Sequence, residues 1–122
     1  MRHAMLAYKK VSLESAPPAT ILDQVFERLE RDIGDASAAV RQRDIVAKAK
    51  AVDHAIQLVG ELSASLDRDA VPELADNLLG LYGFVEAHLV DGSIRLVTEP
   101  FDEALRVVGS LRAAFREVSH GV

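Results

Sequence analysis

From Pro17 onward, apolar residues recur at intervals of three and four, the spacing that gathers side chains along one face of an α-helix. Leu22, Val25, Leu29, Ile33, Ala36 and Val40 make the first such stripe. Pro17 and Pro18 precede it and suit a first helical turn, where a missing N–H costs no bond, so the pattern predicts a helix from about Pro18 to Gln42. The second stripe, Ile45, Ala49, Val52, Ile56, Val59, Leu62 and Leu66, has a period of about 3.5 residues, as in a bundle seam, and predicts a helix over Ile45 to Asp67. Leu74, Leu78, Leu81, Val85 and Leu89 predict a third helix from Pro72 to Ser93, fading at Gly92, a residue suited to ending one. Phe101, Leu105, Val108, Leu111, Phe115 and Val118 predict a fourth from Glu99 to Ser119. Thr98 is its expected N-cap, Pro100 lies in its first turn, and Asp102 and Glu103 complement the positive end of its dipole.

The connections between these segments are short, and short connections make sequential helices antiparallel neighbours. The expected fold is therefore all-α: an antiparallel up-down four-helix bundle with a mobile N-terminal tail. No internal repeat or linker divides the chain, so residues 1–122 are expected to form one helical-bundle domain, with 1–16 as tail and 17–119 as bundle. A chain of 122 residues buries roughly two-thirds of its unfolded surface, enough for one core.

The third helix departs from simple amphipathicity. Across Leu78-Leu79-Gly80-Leu81-Tyr82-Gly83-Phe84-Val85, apolar side chains are spread around most of the circumference, more than one core face can cover. Either this helix is the most buried of the four, or part of its surface forms a groove for another chain or for the N-terminal tail.

Composition narrows the function classes. With hydrophobic residues at 49% and charged residues at 27%, the chain is too apolar for disorder and too evenly charged for a membrane protein, so a globular protein is expected. It has no cysteine, which excludes a disulfide framework, a thiolate zinc site and thiol redox chemistry, and fits a reducing cytoplasm. Neither a secretory h-region nor a membrane span is present, and a cytoplasmic location without membrane insertion follows as the expectation. The net charge is −5, with basic residues scattered among acids, which argues against nucleic acid as a partner.

Candidate chemistry is sparse. A di-iron bundle needs paired Glu-x-x-His motifs on facing helices, whereas only Glu117 and His120 have that spacing, in the last turn. His3, His54 and His88 lack suitably spaced ligand companions, and no phosphate loop or nucleophile elbow occurs. No metal and no cofactor are expected. The alternative closest to an enzyme is the segment Ala87-His88-Leu89-Val90-Asp91-Gly92-Ser93, which resembles the phosphoacceptor motif of histidine phosphotransfer domains, also four-helix bundles. In that motif a lysine follows the histidine by three residues; here the position holds Asp91, which would repel an incoming phosphoryl group. The chain is expected not to be an enzyme.

Several segments in order resemble the flagellin-specific export chaperone family known as FliS. Tyr8-Lys9-Lys10-Val11-Ser12-Leu13-Glu14-Ser15-Ala16-Pro17-Pro18 is similar to that family's tyrosine-led segment ending in Glu-Thr-Ala-Ser-Pro. Ile21 to Phe26 resembles the start of its first long helix, and Lys48-Ala49 with Ile56 to Asp67 its second. Glu73-Leu74-Ala75-Asp76-Asn77-Leu78-Leu79-Gly80-Leu81-Tyr82 is close to the family's Asn-Leu-x-x-Leu-Tyr core. Departures are Pro17 for serine, Glu27-Arg28 for Asp-Gly, Gly83 for an aspartate, and Gly92-Ser93 for Ala-Asn.

The resemblance implies a chaperone that binds the C-terminal segment of flagellin, which is disordered in the monomer and helical in the filament, and so delays assembly until type III flagellar export. The flagellar export gate, and a second copy of the free protein in a homodimer, are further candidate partners. The expected client-binding residues are Tyr8, Ile56, Asn77, Leu78, Leu81, Tyr82 and Val85, although Leu78, Leu81 and Val85 read more readily as core than as contact. The tail residues Met5, Leu6, Tyr8, Val11 and Leu13 are expected to cover the same apolar surface when the client is absent.

Overall fold

A computed structural model describes residues 18–120, with side chains described over 20–117. Four helices fill this stretch: α1 (Pro18–Arg41), α2 (Ile45–Ala64), α3 (Pro72–Arg95) and α4 (Glu99–His120). Each packs on its neighbours in sequence, and α1 closes the ring against α4. The expected up-down bundle is what forms; the tail, Tyr8 included, lies outside the described residues.

The apolar stripes meet along the axis. Phe26, Leu29 and Ile33 of α1, Val52, Val59 and Leu62 of α2, Tyr82, Val85 and Leu89 of α3, and Phe101, Val108 and Phe115 of α4 form one buried cluster. The rings of Phe26 and Phe115 stack with centroids 5.4 Å apart, tying α1 to α4. Phe26 and Tyr82 are more deeply buried than Val25 and Val40 of the expected first stripe, which lie half-buried at the core's edge.

Local chemistry sets the helix ends. At the end of α1 the Arg43 N–H donates to the Val40 carbonyl and the Asp44 N–H to the Ala39 carbonyl, a Schellman closure. Arg43 takes the left-handed position at φ 58°, where glycine is usual and a side chain costs roughly 1 kcal/mol. Asp44 then caps α2, its Oδ1 accepting the Ala47 N–H at 3.0 Å. The second helix stops at Ala64, three residues before the expected Asp67. Ser65 Oγ donates to the Glu61 carbonyl, and the Asp67 carboxylate accepts the Asp69 and Ala70 N–H groups, so Asp67 builds a turn instead of a helix. Leu66 nevertheless stays buried and seals that end of the core.

Gly92 does not end α3. The helix continues to Arg95, and Leu96 supplies the left-handed cap at φ 55°, ψ 46°. Gly92 is buried instead against Phe101 of α4: a Cβ there would lie 2.9 Å from the ring. Its absent side chain serves close helix approach, not chain reversal.

Candidate binding groove

The apolar excess of α3 divides into three directions. Leu78, Tyr82 and Val85 point into the core, with Tyr82 only 1% exposed. Leu79 is half-buried against that core. Leu81 and Phe84 remain on the surface, 39% and 40% exposed.

The face carrying Leu81 and Phe84 continues at helical spacing to His88, whose Nε2 lies 2.7 Å from Glu103 Oε2 of α4. Leu81 therefore stands on the shoulder of α3 that borders α4, and there it lines a surface recess with Arg106, Val107, Ser110 and Leu111. Val107 and Leu111 form a half-buried floor packed on the core, while Arg106 and Ser110 are exposed at its edge. Asn77, exposed one turn before Leu81, extends the polar edge along α3. An apolar trough with amide, hydroxyl and guanidinium groups beside it suits an amphipathic helix laid lengthwise, apolar side down.

The structure thus separates the expected contact residues. Asn77 and Leu81 are accessible at the groove. Leu78, Tyr82 and Val85 lie beneath them as core, so they shape the trough from below. Ile56 is half-buried on α2, where it packs against the core, and it does not line the recess. Tyr8 lies outside the described residues. Sequence reasoning missed Val107 and Leu111 as groove residues, and Phe84 as an exposed neighbour of the groove one turn beyond Leu81. The signal for Phe84 was its place in the over-apolar run; Val107 lies one step off the core stripe of α4, and Leu111 was assigned to that stripe.

His88 is held in a setting hostile to phosphoryl transfer. Its Nδ1 lies 2.8 Å from the Phe84 carbonyl, its ring stacks on Phe84 with centroids 3.9 Å apart, and Nε2 faces the Glu103 carboxylate. Asp91 stands one turn further on, its carboxyl held below the usual range by two hydrogen bonds from Arg95 at 2.8 and 2.7 Å. A phosphoryl group at Nε2 would displace one carboxylate and sit beside another. Among the described residues no group of three or more His, Asp or Glu side chains could hold a metal ion, and no helix is long and apolar enough to cross a membrane.

Elsewhere the surface is knit by ion pairs. Arg112 of α4 donates to Asp23 at 3.0 Å and Glu30 at 2.9 Å on α1, with Glu27 at 3.5 Å. The hydrogen bonds to Asp23 and Glu30 push the Arg112 guanidinium further above its already high range, so it stays charged. Asp32, buried on α1, pairs with Arg28 and with His54 of α2.

The fold and the site together define an all-α four-helix bundle with an apolar recess on its α3–α4 seam. The profile of the flagellar protein FliS family matches residues 1–122, and the chain belongs to that family. One relative, the flagellar secretion chaperone FliS of Salmonella typhimurium, is 28% identical over 118 residues, covering 93% of this chain and 87% of that protein. The flagellar secretion chaperone FliSB of Pseudomonas aeruginosa is 27% identical over 121 residues, covering 96% of each. The flagellar secretion chaperone FliS of Vibrio cholerae is 23% identical over 122 residues, covering 97% of this chain and 90% of that protein.

Proposed function

We propose that this protein binds the C-terminal helical segment of flagellin in the cytoplasm, prevents its premature polymerisation, and keeps it competent for type III flagellar export. The observation that carries the reading is the α3–α4 recess, where Leu81 stays exposed beside Val107 and Leu111, with Phe84 exposed one turn further along α3. Family membership and the chaperone names of the relatives supply the class of client.

The mechanism is binding and release. A flagellin terminus that is disordered when free folds as it docks, and its apolar face, which would otherwise join a filament, is covered by the bundle. Because the bundle is already formed, the ordering cost falls on the guest alone, which keeps the complex reversible at the point of export. Asn77 and Leu81 contact the guest directly, Leu78, Tyr82 and Val85 hold the trough in shape, and Ile56, on α2, has no part in this contact. Tyr8 keeps the role that the family resemblance gives it, as anchor of a segment that competes with the guest.

Titration calorimetry with a synthetic flagellin C-terminal peptide tests this reading. Leu81→Asp places a charge in the recess and Phe84→Asp one a turn beyond it, and each should weaken binding at least tenfold, about 1.4 kcal/mol. Gln24→Ala, on the exposed face of α1, should leave binding unchanged. If Leu81→Asp and Phe84→Asp bind as tightly as the parent chain, the guest does not lie in this trough.

A further inference from the structure

His88 is fastened at both ring nitrogens and on one face. Its Nδ1 lies 2.8 Å from the Phe84 carbonyl of its own helix, and its Nε2 reaches across the seam to within 2.7 Å of Glu103 Oε2 on α4. The ring itself stacks on that of Phe84, with centroids 3.9 Å apart. Phe84 is the exposed ring one turn beyond Leu81, at the end of the recess. An exposed aromatic backed in this way keeps fewer rotamers, so less freedom is lost when a guest covers it.

The two nitrogen contacts fix the charge of the ring. A backbone carbonyl only accepts, so Nδ1 carries a proton to meet the Phe84 oxygen. An ionised carboxylate also only accepts, and a bare ring nitrogen at 2.7 Å would set lone pair against lone pair, so Nε2 carries a proton too. Both contacts together describe the imidazolium, whereas a neutral ring has one N–H and keeps one of them.

The charged groups around the ring belong to α3 and α4. On α3, Asp91 is taken up by two hydrogen bonds from Arg95. On α4, Glu99, Asp102 and Arg106 lie within about one turn of Glu103. Among the described residues, His88 is the cation paired with Glu103.

We propose that His88 is a positioning residue for the guest: as an imidazolium it braces Phe84 at the end of the trough and neutralises Glu103 beside it, so binding weakens when the ring loses its proton. This rests on the reading of the trough as the flagellin site. A neutral ring that turns to Glu103 gives up the Phe84 carbonyl and frees the aromatic ring. One that stays on the carbonyl leaves a bare carboxylate next to apolar surface that the guest must cover. Either outcome costs affinity, so the guest binds more tightly at low pH and more weakly at high pH.

Calorimetric titration of the full chain with the synthetic flagellin C-terminal peptide tests this across roughly pH 5 to 8, the span over which histidine side chains change charge. The affinity of the parent chain should fall about threefold to fivefold as the pH rises, the range of a partly exposed ion pair. His88→Gln should bind at the weak level throughout. His88→Arg should bind at the tight level throughout, because a guanidinium stacks on an aromatic ring, pairs with a carboxylate and keeps its charge. Magnetic resonance of the free protein, assigned with the help of His88→Gln, supplies a readout that needs no guest. Both ring nitrogens of His88 should be protonated at the acid end of the span, and the Phe84 ring signals should move along the same titration curve. A parent affinity that changes less than about 1.5-fold overturns the proposal. So does a His88→Arg variant that varies with pH as the parent does, or a Phe84 ring that ignores the titration of His88. In each of those cases the trough reading stands if Leu81→Asp weakens binding. A peptide that binds the parent chain at no pH removes the trough reading and this inference together.

Discussion

Gly92 and Gly80 occupy the same helix with opposite demands. A methyl group at Gly92 would meet the Phe101 ring at 2.9 Å, and that ring is wholly buried, with no room to retreat. At Gly80 nothing lies within 4 Å of the added carbon. Gly92→Ala should therefore destabilise the protein by roughly 1–3 kcal/mol through overpacking, although alanine is the better helix former. Gly80→Ala should stabilise it by about 0.5–1 kcal/mol. Urea unfolding of the two variants checks both signs, and equal effects would mean that α3 and α4 do not approach as closely as this. The sequence offered Gly92 as a stop because glycine after a periodic run commonly is one; the partner that forbids a side chain lies on another helix, beyond the reach of spacing rules. Phe26 shows the same limit, since it is as periodic as Val25 and packing against Phe115 decides between them.

At the scale of elements, Arg112 joins three carboxylates across the polar side of the seam between α1 and α4. Asp23, Glu27 and Glu30 lie along one face of α1 at helical spacing, and Arg112 spans them from α4. Arg112→Met would remove the cation that three neighbouring carboxylates share, leaving Arg116 near Asp23 at 3.3 Å and Arg31 on Glu27 at 3.1 Å. The expected loss is roughly 1–3 kcal/mol in low salt, because hydrogen bonds to charged groups are lost and like charges on adjacent turns repel. High salt should narrow the loss, and in a Glu30→Gln background Arg112→Met should cost less. A loss unaffected by salt and by Glu30→Gln would show that Arg112 acts through its aliphatic stem. Helix existence and order were legible because each stripe has several members and the prolines and acids mark the starts. The ends were less so: Asp67 competes for backbone N–H groups in a turn, and Leu96 accepts a left-handed backbone that the preference for glycine argues against.

For the molecule as a whole, the informative sequence feature was the surplus of apolar residues in α3. A bundle with four stripes needs one face from each helix, so the residues left over had to be buried otherwise or exposed. The fold exposes Leu81 and Phe84 beside α4, while Tyr82, whose hydroxyl suggested an interface position, is core. Which leftover residue faces which seam depends on the rotation of α3 in the ring, and periodicity alone does not give that angle. The same ring places the exposed ends of α2 and α3 together, far along the chain from one another yet joined by Lys48 and Ser93. The recess is not a feature of a single helix.

The central claim is that a flagellin terminus lies along the α3–α4 seam, and hydrogen exchange of the free and peptide-bound protein tests it most directly. With a synthetic flagellin C-terminal peptide at saturation, protection should rise over α3 from Asn77 to His88 and over α4 from Glu103 to Leu111, with α1 unchanged. Protection that does not change at saturation, or that rises only on α1 and α2, would contradict the account.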